Sequence, residues 1–309
     1  GLSNAAHLYS RTHRARRLII MYLPPPKAEC RFYASIMIFY CNIGTPYVKI
    51  AGKSLTAAYS KLTEDDKIKI RFPIFEWYDN YPANFVDTIQ RIYLGKDYVT
   101  TGGIKYTIFE DNIGYIHYGS FSTAVGEANL DEILNELSIC DGLIFDVRNN
   151  SGGLLTMSDR IASRFTNEKI LTGYFSYKTG PGHDDFSSPE PIYIEPATDR
   201  VRWQKPVAIL TNRRSYSSTN DFVGKMKQMP QAIIIGDKTG GGSGLPFSSE
   251  LPNGWSVRFS ASPMYDPDMQ HQEFGITPDI KIDITSEDMQ KGLDTIIETA
   301  RKQLKKDKI

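Results

Sequence analysis

The stretch GLIFDVRNNSGGLLTMSDRI, residues 142–161, joins a continuous apolar run to an Asn- and Gly-rich turn and then to a helical pattern. An uninterrupted apolar run of this length is typical of a strand that is buried on both faces, as in a parallel sheet. The paired glycines Gly152 and Gly153 allow the backbone of the turn to approach a ligand closely. The stretch therefore predicts one strand, turn and helix unit of an α/β core.

The same alternation of β-rich runs and helical patterns extends from about residue 104 to the C-terminal region, which indicates an α/β fold. IKYTIFEDNIGYIHYGSF predicts two strands across an Asp-Asn turn. ILTGYFSYKTG, PVAILTN and AIIIGD predict further strands, STNDFVGKMKQM predicts a helix, and LPFSSELPNGWSVRFSAS predicts a hairpin. We expect one polar amphipathic helix over roughly residues 286–305.

These patterns divide the chain into two regions. Residues 1–103 form a mixed, partly helical N-terminal region, in which three consecutive prolines, Pro24 to Pro26, interrupt any helix. LTAAYSKLTEDD and NFVDTIQRIYL predict short helices within that region. Residues 104–309 carry the regular α/β core.

Composition excludes several classes of function. The 309 residues carry 36 Lys and Arg against 36 Asp and Glu, so the balanced charge predicts no nucleic-acid partner. The apolar stretch 32–41 is too short to span a bilayer, and we expect no transmembrane segment. Cys30, Cys41 and Cys140 are predicted to be buried thiols, because they match no metal-binding pattern. No metal and no cofactor are expected.

A cluster of hydroxyl side chains occurs in TNRRSYSSTNDFVG, residues 211–224: Ser215, Ser217, Ser218 and Thr219. A strand, a polar turn and a helix beginning near Thr219 would place these hydroxyls at a helix N-terminus, where unpaired N–H groups stabilise an anion. A serine there can form an acyl-enzyme whose oxyanion is held by neighbouring amides. Simple helix capping is the alternative, since Ser and Thr are preferred N-cap residues.

A third loop, the glycine-rich segment GDKTGGGSGLP, follows the last buried apolar run and contains Gly240, Gly241 and Gly242. It lacks the Gly-Lys-Ser/Thr ending of a P-loop and is not followed by a helical pattern, which argues against a nucleotide site. Three flexible loops after strands of one sheet predict a cleft at the carboxyl ends of those strands.

Four segments in this order, GLIFDVRNNSGG, PVAILTNRRSYSSTNDFVGKM, IIIGDKTGGGSGLPF and FGITPDI, resemble the core of the S41 peptidases. This family contains C-terminal processing proteases and tricorn-type proteases, and the resemblance covers roughly residues 104–285. It implies a ClpP/crotonase-like spiral of ββα units. The chain shows no PDZ insert, and its triple glycine looks like the tricorn-related, Bacteroidetes-type branch.

The resemblance implies a role for several residues of the hydroxyl cluster and the paired-glycine turn. Ser217 matches the family's nucleophile, and its neighbours Ser215 and Thr219 become turn and cap residues. The backbone N–H of Ser218 and that of Gly152 or Gly153 match the oxyanion hole. The implied reaction is acyl transfer from a peptide to the serine, followed by hydrolysis of the ester.

The resemblance does not supply a general base. PDZ-bearing members use a lysine where this chain has Gly242, so a Ser-Lys dyad looks excluded. The tricorn-type branch uses an N-terminal histidine assisted by a glutamate, for which Glu273 is the candidate and Gln272 the competitor in register. No matching histidine motif is found, and Lys67 stands where that histidine is expected.

The histidines themselves suggest few alternatives. His183, in a Gly- and Pro-containing loop beside two aspartates, is a candidate for the edge of the substrate cleft, together with the triple glycine. We interpret His117 as a strand residue, and His271 as a solvated residue near the cleft. His7 and His13 are expected to be exposed.

The leading hypothesis is a serine peptidase that acts on peptides or unfolded proteins. A catalytically inactive S41-like protein that binds a peptide or a hydrophobic ligand is the alternative, because the base is missing from the pattern. A crotonase-like acyl-CoA enzyme is a weaker reading, since that chemistry needs no serine nucleophile. The resemblance suggests an extracytoplasmic location, in the periplasm, in the cell envelope or secreted, although no signal sequence is visible.

Overall fold

A computed structural model describes residues 19–21, 36–38, 49–51, 84–180, 184–250 and 256–306 of the chain. Its central element is a seven-stranded sheet, which confirms the predicted α/β class. The order across this sheet is β15-β11-β10-β7-β6-β5-β4, numbered along the chain. Strands β6, β7, β10, β11 and β15 run parallel to one another, and β4 and β5 continue the sheet antiparallel.

The strands of the described residues have the following bounds: β1 Ile19–Met21, β2 Ile36–Ile38, β3 Lys49–Ala51, β4 Val99–Thr101, β5 Ile104–Ile108, β6 Ile113–His117, β7 Gly142–Asp146, β8 Ile170–Phe175, β9 Glu190–Ile194, β10 Val207–Thr211, β11 Ala232–Gly236, β12 Phe247–Glu250, β13 Ser256–Phe259, β14 Met264–Tyr265 and β15 Ile280–Lys281. The α-helices are α1 Asp87–Leu94, α2 Glu127–Glu136, α3 Leu155–Ala162, α4 Ser218–Met226, α5 Ser286–Gln290 and α6 Thr295–Lys306.

Two hydrophobic clusters cover the two faces of the sheet. One contains residues of α2, α3 and α4, and in it the ring of Phe222 contacts the rings of both Phe121 and Phe145. The other packs α6 against the opposite face through Ile296, Ile297 and others. Strands β7 and β10 are buried at every residue, as their continuous apolar sequences predict, because helices cover both faces.

Smaller sheets lie beside the central one. β8 pairs antiparallel with β9 and β14, and β13 pairs antiparallel with β12 and β3. The hairpin predicted from LPFSSELPNGWSVRFSAS is therefore present as β12 and β13, whereas its turn at residues 251–255 lies outside the described residues. Strands β5 and β6 form the predicted antiparallel pair, and Asn112 adopts φ 61° in the turn between them.

The single helix expected over residues 286–305 is wrong, because two helices occupy this segment. α5 ends near Lys291, and Gly292 adopts φ +72°, a left-handed conformation that ends helices. Asp294 then accepts hydrogen bonds from the N–H groups of Ile296 and Ile297 and starts α6.

The division of the chain at residue 103 stays a prediction. α1 occurs where NFVDTIQRIYL predicts a short helix, and β4 pairs with β5 across the proposed boundary. The helix expected in LTAAYSKLTEDD lies outside the described residues, as do Cys30 and Cys41. Cys140 is buried, as predicted.

Candidate active site

The loops after β6, β7, β10 and β11 meet at the carboxyl edge of the parallel strands. Phe121, after β6, forms a β-bridge with Gly153, and Tyr216, after β10, forms one with Gly241. Tyr216 N–H donates to Asn150 O at 3.0 Å, which joins the second of these loops to the third. The glycine-rich loops are therefore adjacent at the strand ends, as expected for a cleft in this type of sheet.

Ser217 lies in the middle of this edge, immediately before α4. Its backbone adopts φ 58° and ψ −123°, which a non-glycine residue rarely does. Its N–H donates to Gly241 O at 2.8 Å, and its C=O accepts from Asp221 N–H at 3.0 Å. The residue is partly exposed, and its hydroxyl has no hydrogen-bond partner within the part of the chain that the structure describes.

The flanking hydroxyls differ from their predicted roles in one respect. Ser215 is a turn residue as predicted, since its Oγ accepts from Asn212 N–H and donates to Val147 O at 2.8 Å. The capping role predicted for Thr219 is wrong, because this residue is already inside α4 and its Oγ1 donates to Asn150 Oδ1 at 2.8 Å. α4 has no side-chain N-cap bond, so its first turn remains open to other acceptors.

The paired glycines lie directly against the serine. A Cβ atom added at Gly152 would lie 2.7 Å from Ser217 Cβ and 2.6 Å from Tyr216 O, so only glycine fits there. Gly152 N–H donates to Asn150 Oδ1 at 3.0 Å, and Gly153 N–H donates to Ser218 Oγ at 3.0 Å. Ser218 N–H, at the first residue of α4, has no acceptor among the described residues.

The ring of Tyr216 packs against the triple glycine, a contact that the sequence did not indicate. A Cβ added at Gly242 would lie 2.1 Å from Tyr216 Cζ, and Gly242 itself adopts φ +79°. The Tyr216 ring therefore occupies the space that any side chain at position 242 needs. This packing leaves no room for a lysine side chain at position 242.

Glu273 is buried beside the same loop, with only 1% of its surface exposed. Its Oε1 lies 3.5 Å from Ser260 Oγ, and its Oε2 has no partner among the described residues. Burial raises the pKa of this carboxyl to about 9, although the Ser260 hydroxyl lowers it. The carboxyl is therefore protonated near neutral pH and can donate a hydrogen bond.

Gln272, the competitor in register, points elsewhere. A Cβ added at Gly224 of α4 would lie 3.1 Å from Gln272 Nε2, which places this amide against the helix. Glu273 O, in contrast, accepts Gly242 N–H at 3.1 Å, so the Glu273 backbone is tied to the triple glycine.

Asn220 joins three of these segments and was missed from the sequence. Its Nδ2 donates to Ser243 Oγ at 2.8 Å and to Gln272 O at 3.1 Å, and its Oδ1 accepts from Thr239 Oγ1 at 2.5 Å. The only available signal was its position three residues after Ser217, which puts it one helical turn further along the buried face of α4.

No imidazole of the described residues contacts Ser217 Oγ. His117 stacks on Phe85 with 5.9 Å between the ring centroids, and His271 is exposed and packs on Tyr265 at 4.5 Å. Desolvation by the surrounding protein lowers the pKa of both histidines, including that of the partly covered His271, which keeps them neutral near pH 7. His183 and Lys67 lie outside the described residues, so their predicted places stay predictions.

A buried ion network supports the turn that carries the paired glycines. Arg148 is fully buried and bonds Asp146 through Nε at 2.9 Å and through one terminal nitrogen at 2.6 Å. Its other terminal nitrogen bonds Asp294 Oδ2 at 2.8 Å and Asn84 O at 3.0 Å. Burial disfavours these charges, but the Arg148 guanidinium nevertheless lowers the pKa of Asp146.

Two further features of the described residues bear on function. They contain no group of His, Cys, Asp and Glu side chains arranged to hold a metal ion. They also contain no helix that is long and apolar enough to cross a membrane.

Comparison with known proteins gives a consistent set of similarities. The model of Peptidase family S41 matches residues 112–282. The carboxyl-terminal-processing protease of Picosynechococcus sp. is 26% identical over 206 residues, which covers 62% of this chain and 45% of that protein. The carboxy-terminal-processing protease of Bartonella bacilliformis is 25% identical over 218 residues, covering 69% of this chain and 48% of that protein. The chain spans about half the length of these curated relatives.

A solved structure is more similar. A crystal structure of a candidate peptidase from Parabacteroides merdae is 59% identical to this chain, with a TM-score of 0.72. The alignment covers 75% of this chain and 73% of that one. At this identity the shared fold extends well beyond the four motifs.

Proposed function

The chain belongs to peptidase family S41, and from this premise we propose that it hydrolyses peptide bonds through an acyl-enzyme on Ser217. The observation that carries the proposal is the geometry of Ser217. Its partly exposed hydroxyl precedes a helix whose first N–H, that of Ser218, is unpaired within the described residues. A hydroxyl nucleophile and an adjacent N–H donor are what acyl transfer requires.

In the proposed reaction Ser217 Oγ attacks the carbonyl carbon of a peptide, and the carbonyl oxygen becomes an oxyanion. Ser218 N–H is proposed to stabilise that oxyanion. The N–H groups of Gly152 and Gly153 already donate to Asn150 Oδ1 and Ser218 Oγ, so their turn is proposed to form the adjacent wall of the oxyanion site. The C–N bond then breaks, the amine leaves with a proton, and an ester to Ser217 remains. Water hydrolyses the ester, releases the carboxylic acid and restores the serine hydroxyl.

The proton acceptor for Ser217 is proposed to come from outside the described ranges. His7, His13, His183 and Lys67 are the candidates there that the sequence offers. Glu273 is proposed to assist, because a buried protonated carboxyl with an unpartnered oxygen can orient a base by hydrogen bonding.

We propose peptides or unfolded protein segments as substrates, which the names of the curated relatives support. The triple glycine and His183 are proposed to border the substrate cleft. Tricorn-like membership within the family and an extracytoplasmic location are part of the same proposal. Fractionation of the native host, with the chain detected by antibody, tests the location.

Covalent labelling tests the nucleophile. A fluorophosphonate probe should label the wild-type chain at Ser217, and Ser217→Ala should lose both labelling and peptide hydrolysis. Ser151→Ala is the matched control, because Ser151 is an exposed hydroxyl in the neighbouring turn. Full labelling of Ser217→Ala would contradict the proposed nucleophile, and an unlabelled wild type would favour the non-catalytic binding alternative.

A further inference from the structure

The Ser218 side chain makes an unusual pair of hydrogen bonds with a single residue. Its Oγ accepts Gly153 N–H at 3.0 Å and donates to Gly153 O at 2.6 Å. Ser218 is 1% exposed, whereas Gly153 is an exposed residue, so the two bonds are buried on the side of Ser218. Neither bond contributes to a helix cap or to a sheet, and the predicted oxyanion role of Ser218 uses its backbone N–H alone.

The opposite side of Gly153 is closed by backbone. A Cβ added at Gly153 would lie 2.1 Å from Ser122 N and 2.2 Å from Phe121 C. Leu154 N–H donates to Phe121 O at 3.1 Å. Gly153 is thus held between the loop after β6 on one side and the Ser218 hydroxyl on the other.

The same turn packs Gly152 against the nucleophile, since a Cβ atom added at Gly152 would lie only 2.7 Å from Ser217 Cβ. Two consecutive glycines have more conformational freedom than any other dipeptide, so this turn needs external bonds to keep one position. The side-chain anchor of Gly153 on α4 is the Ser218 hydroxyl.

We propose that Ser218 is a positioning residue through its side-chain hydroxyl. The hydroxyl fixes the turn of Gly152 and Gly153 at the distance from Ser217 that stabilisation of the transition state requires. The inference rests on the proposed peptidase function. It assigns to the side chain a role separate from that of the Ser218 N–H. The oxyanion forms only during the reaction, so an anchor of this kind affects turnover and leaves substrate binding nearly unchanged.

A second interpretation of the same bonds predicts the opposite sign. If the hydroxyl merely blocked Gly153 N–H, its removal would free a donor for the oxyanion and accelerate turnover. Measurement of Ser218→Ala therefore distinguishes an anchor from a block.

Thr166 supplies a matched control for Ser218, because its side chain makes the same kind of bond pair outside the candidate active site. Its Oγ1 donates to Glu168 O at 2.6 Å and accepts Glu168 N–H at 3.0 Å, the same pair of distances. It is 3% exposed and follows α3 at the end opposite to the glycine turn. Thr166→Ala removes an equivalent pair of bonds without touching the site.

The experiment compares the wild type, Ser218→Ala, Ser218→Thr and Thr166→Ala on one peptide substrate and with one peptide boronic acid. We expect Ser218→Ala to lower kcat by about 10- to 100-fold, with KM changed less than about twofold. Its affinity for the boronic acid, which mimics the tetrahedral state, should fall by a similar factor. Ser218→Thr keeps the hydroxyl and should restore most of the turnover, and Thr166→Ala should behave as wild type.

Amide hydrogen exchange gives a readout that does not depend on activity. Exchange across residues 151–154 should be faster in Ser218→Ala and unchanged in Thr166→Ala. Unchanged or increased kcat in Ser218→Ala, with the wild type active, would overturn this inference alone. A wild type that neither reacts with fluorophosphonate nor hydrolyses peptides would overturn the proposed function and this inference together.

Discussion

Ser217 occupies its backbone conformation because bonds on both sides hold it there. Tyr216 N–H donates to Asn150 O, and Ser217 N–H donates to Gly241 O. A non-glycine residue in such a sparsely populated region costs of order 1–3 kcal/mol. The surrounding hydrogen bonds must offset this cost. The strained residue is the one whose hydroxyl is proposed to react.

Glu273 gives a pH-dependent prediction at the residue scale. Its pKa is about 9 in the folded protein, against an ordinary value of 4.5. Ionisation of the unfolded chain above pH 4.5 favours unfolding, so stability is full below that pH and is lost as pH rises towards 9. Glu273→Gln cannot ionise, and its stability relative to the wild type should rise by up to roughly 1.4 kcal/mol per pH unit in this window.

Urea denaturation at pH 5, 7 and 9 measures that difference. Glu287→Gln is the control, because the Glu287 side chain is 77% exposed on α5 and is expected to follow the wild type at every pH. If the difference in the free energy of unfolding between wild type and Glu273→Gln stays constant from pH 5 to 9, Glu273 titrates normally. An activity profile should also change, since the alkaline limb near pH 9 is expected to vanish in Glu273→Gln.

The sequence predicts individual residues best where a motif constrains them directly. The motifs predicted that Ser217 and Gly152, 65 residues apart in the chain, belong to one site, and the structure brings the two residues together. The role of Thr219 was predicted wrongly and that of Tyr216 was not predicted at all, because both roles depend on which loop lies opposite. A tyrosine in a turn gives no sign that its ring will fill the space above Gly242.

At the scale of elements, the first turn of α4 organises the site. Ser218, Thr219 and Asn220 each bond a different partner: Gly153, Asn150, and the pair of segments that carry Ser243 and Gln272. Helical geometry directs successive side chains about 100° apart. Three adjacent polar residues can therefore contact several loops from one short helix, and a strand could not direct them this way.

Periodicity predicted most helices and strands but not their interruptions. The polar pattern over residues 286–305 is continuous, and only the left-handed Gly292 divides it into α5 and α6. Strand β9 was missed as well. Only its last residue, Ile194, is buried, so no clear apolar alternation marks the strand in the sequence.

The start of α6 gives a prediction at the element scale. Asp294 caps this helix through Oδ1 and pairs with Arg148 through Oδ2. Asp294→Ala removes the cap, worth about 1 kcal/mol, and leaves a buried guanidinium with one carboxylate fewer. We expect a loss of roughly 3 kcal/mol in the free energy of unfolding.

Thr285 is the matched cap for that experiment. Its Oγ1 accepts Asp288 N–H at 3.1 Å at the exposed start of α5, with no buried charge involved. Thr285→Ala should lose about 1 kcal/mol or less in the same denaturant titration. Equal losses for the two variants would show that the Asp294 pair with Arg148 adds nothing to the cap.

At the scale of the whole molecule, the site lies at the carboxyl edge of a sheet that helices cover on both faces. α4 approaches the strand ends from one face, and α6 covers the other face. Arg148 connects the two layers, because it follows β7 and bonds Asp294, the residue immediately before α6. The sequence predicted the layers from apolar runs, whereas no pattern in it indicated that the arginine in DVR pairs with Asp294, 146 residues further along the chain.

Arg148 therefore gives the prediction that concerns the entire fold. It joins β7, the segment before α1 and the start of α6 through Asp146, Asn84 and Asp294. Removal of the guanidinium in Arg148→Ala leaves two buried carboxylates without their cation. Loss of one partner of a buried ion network costs about 3–5 kcal/mol, so the free energy of unfolding should fall by that amount.

The control for Arg148→Ala is Arg301→Ala. Arg301 also contacts two carboxylates, Asp111 and Glu298, but its side chain is 27% exposed, and the loss should stay below about 1 kcal/mol. If Arg148→Ala does not fold, Asp146→Asn with Arg148→Met and Asp294→Asn removes all three charges together and should recover a folded chain. Equal stabilities of Arg148→Ala and Arg301→Ala, or a triple variant less stable than Arg148→Ala, would contradict the claim that unpaired buried charge is what costs the fold its stability.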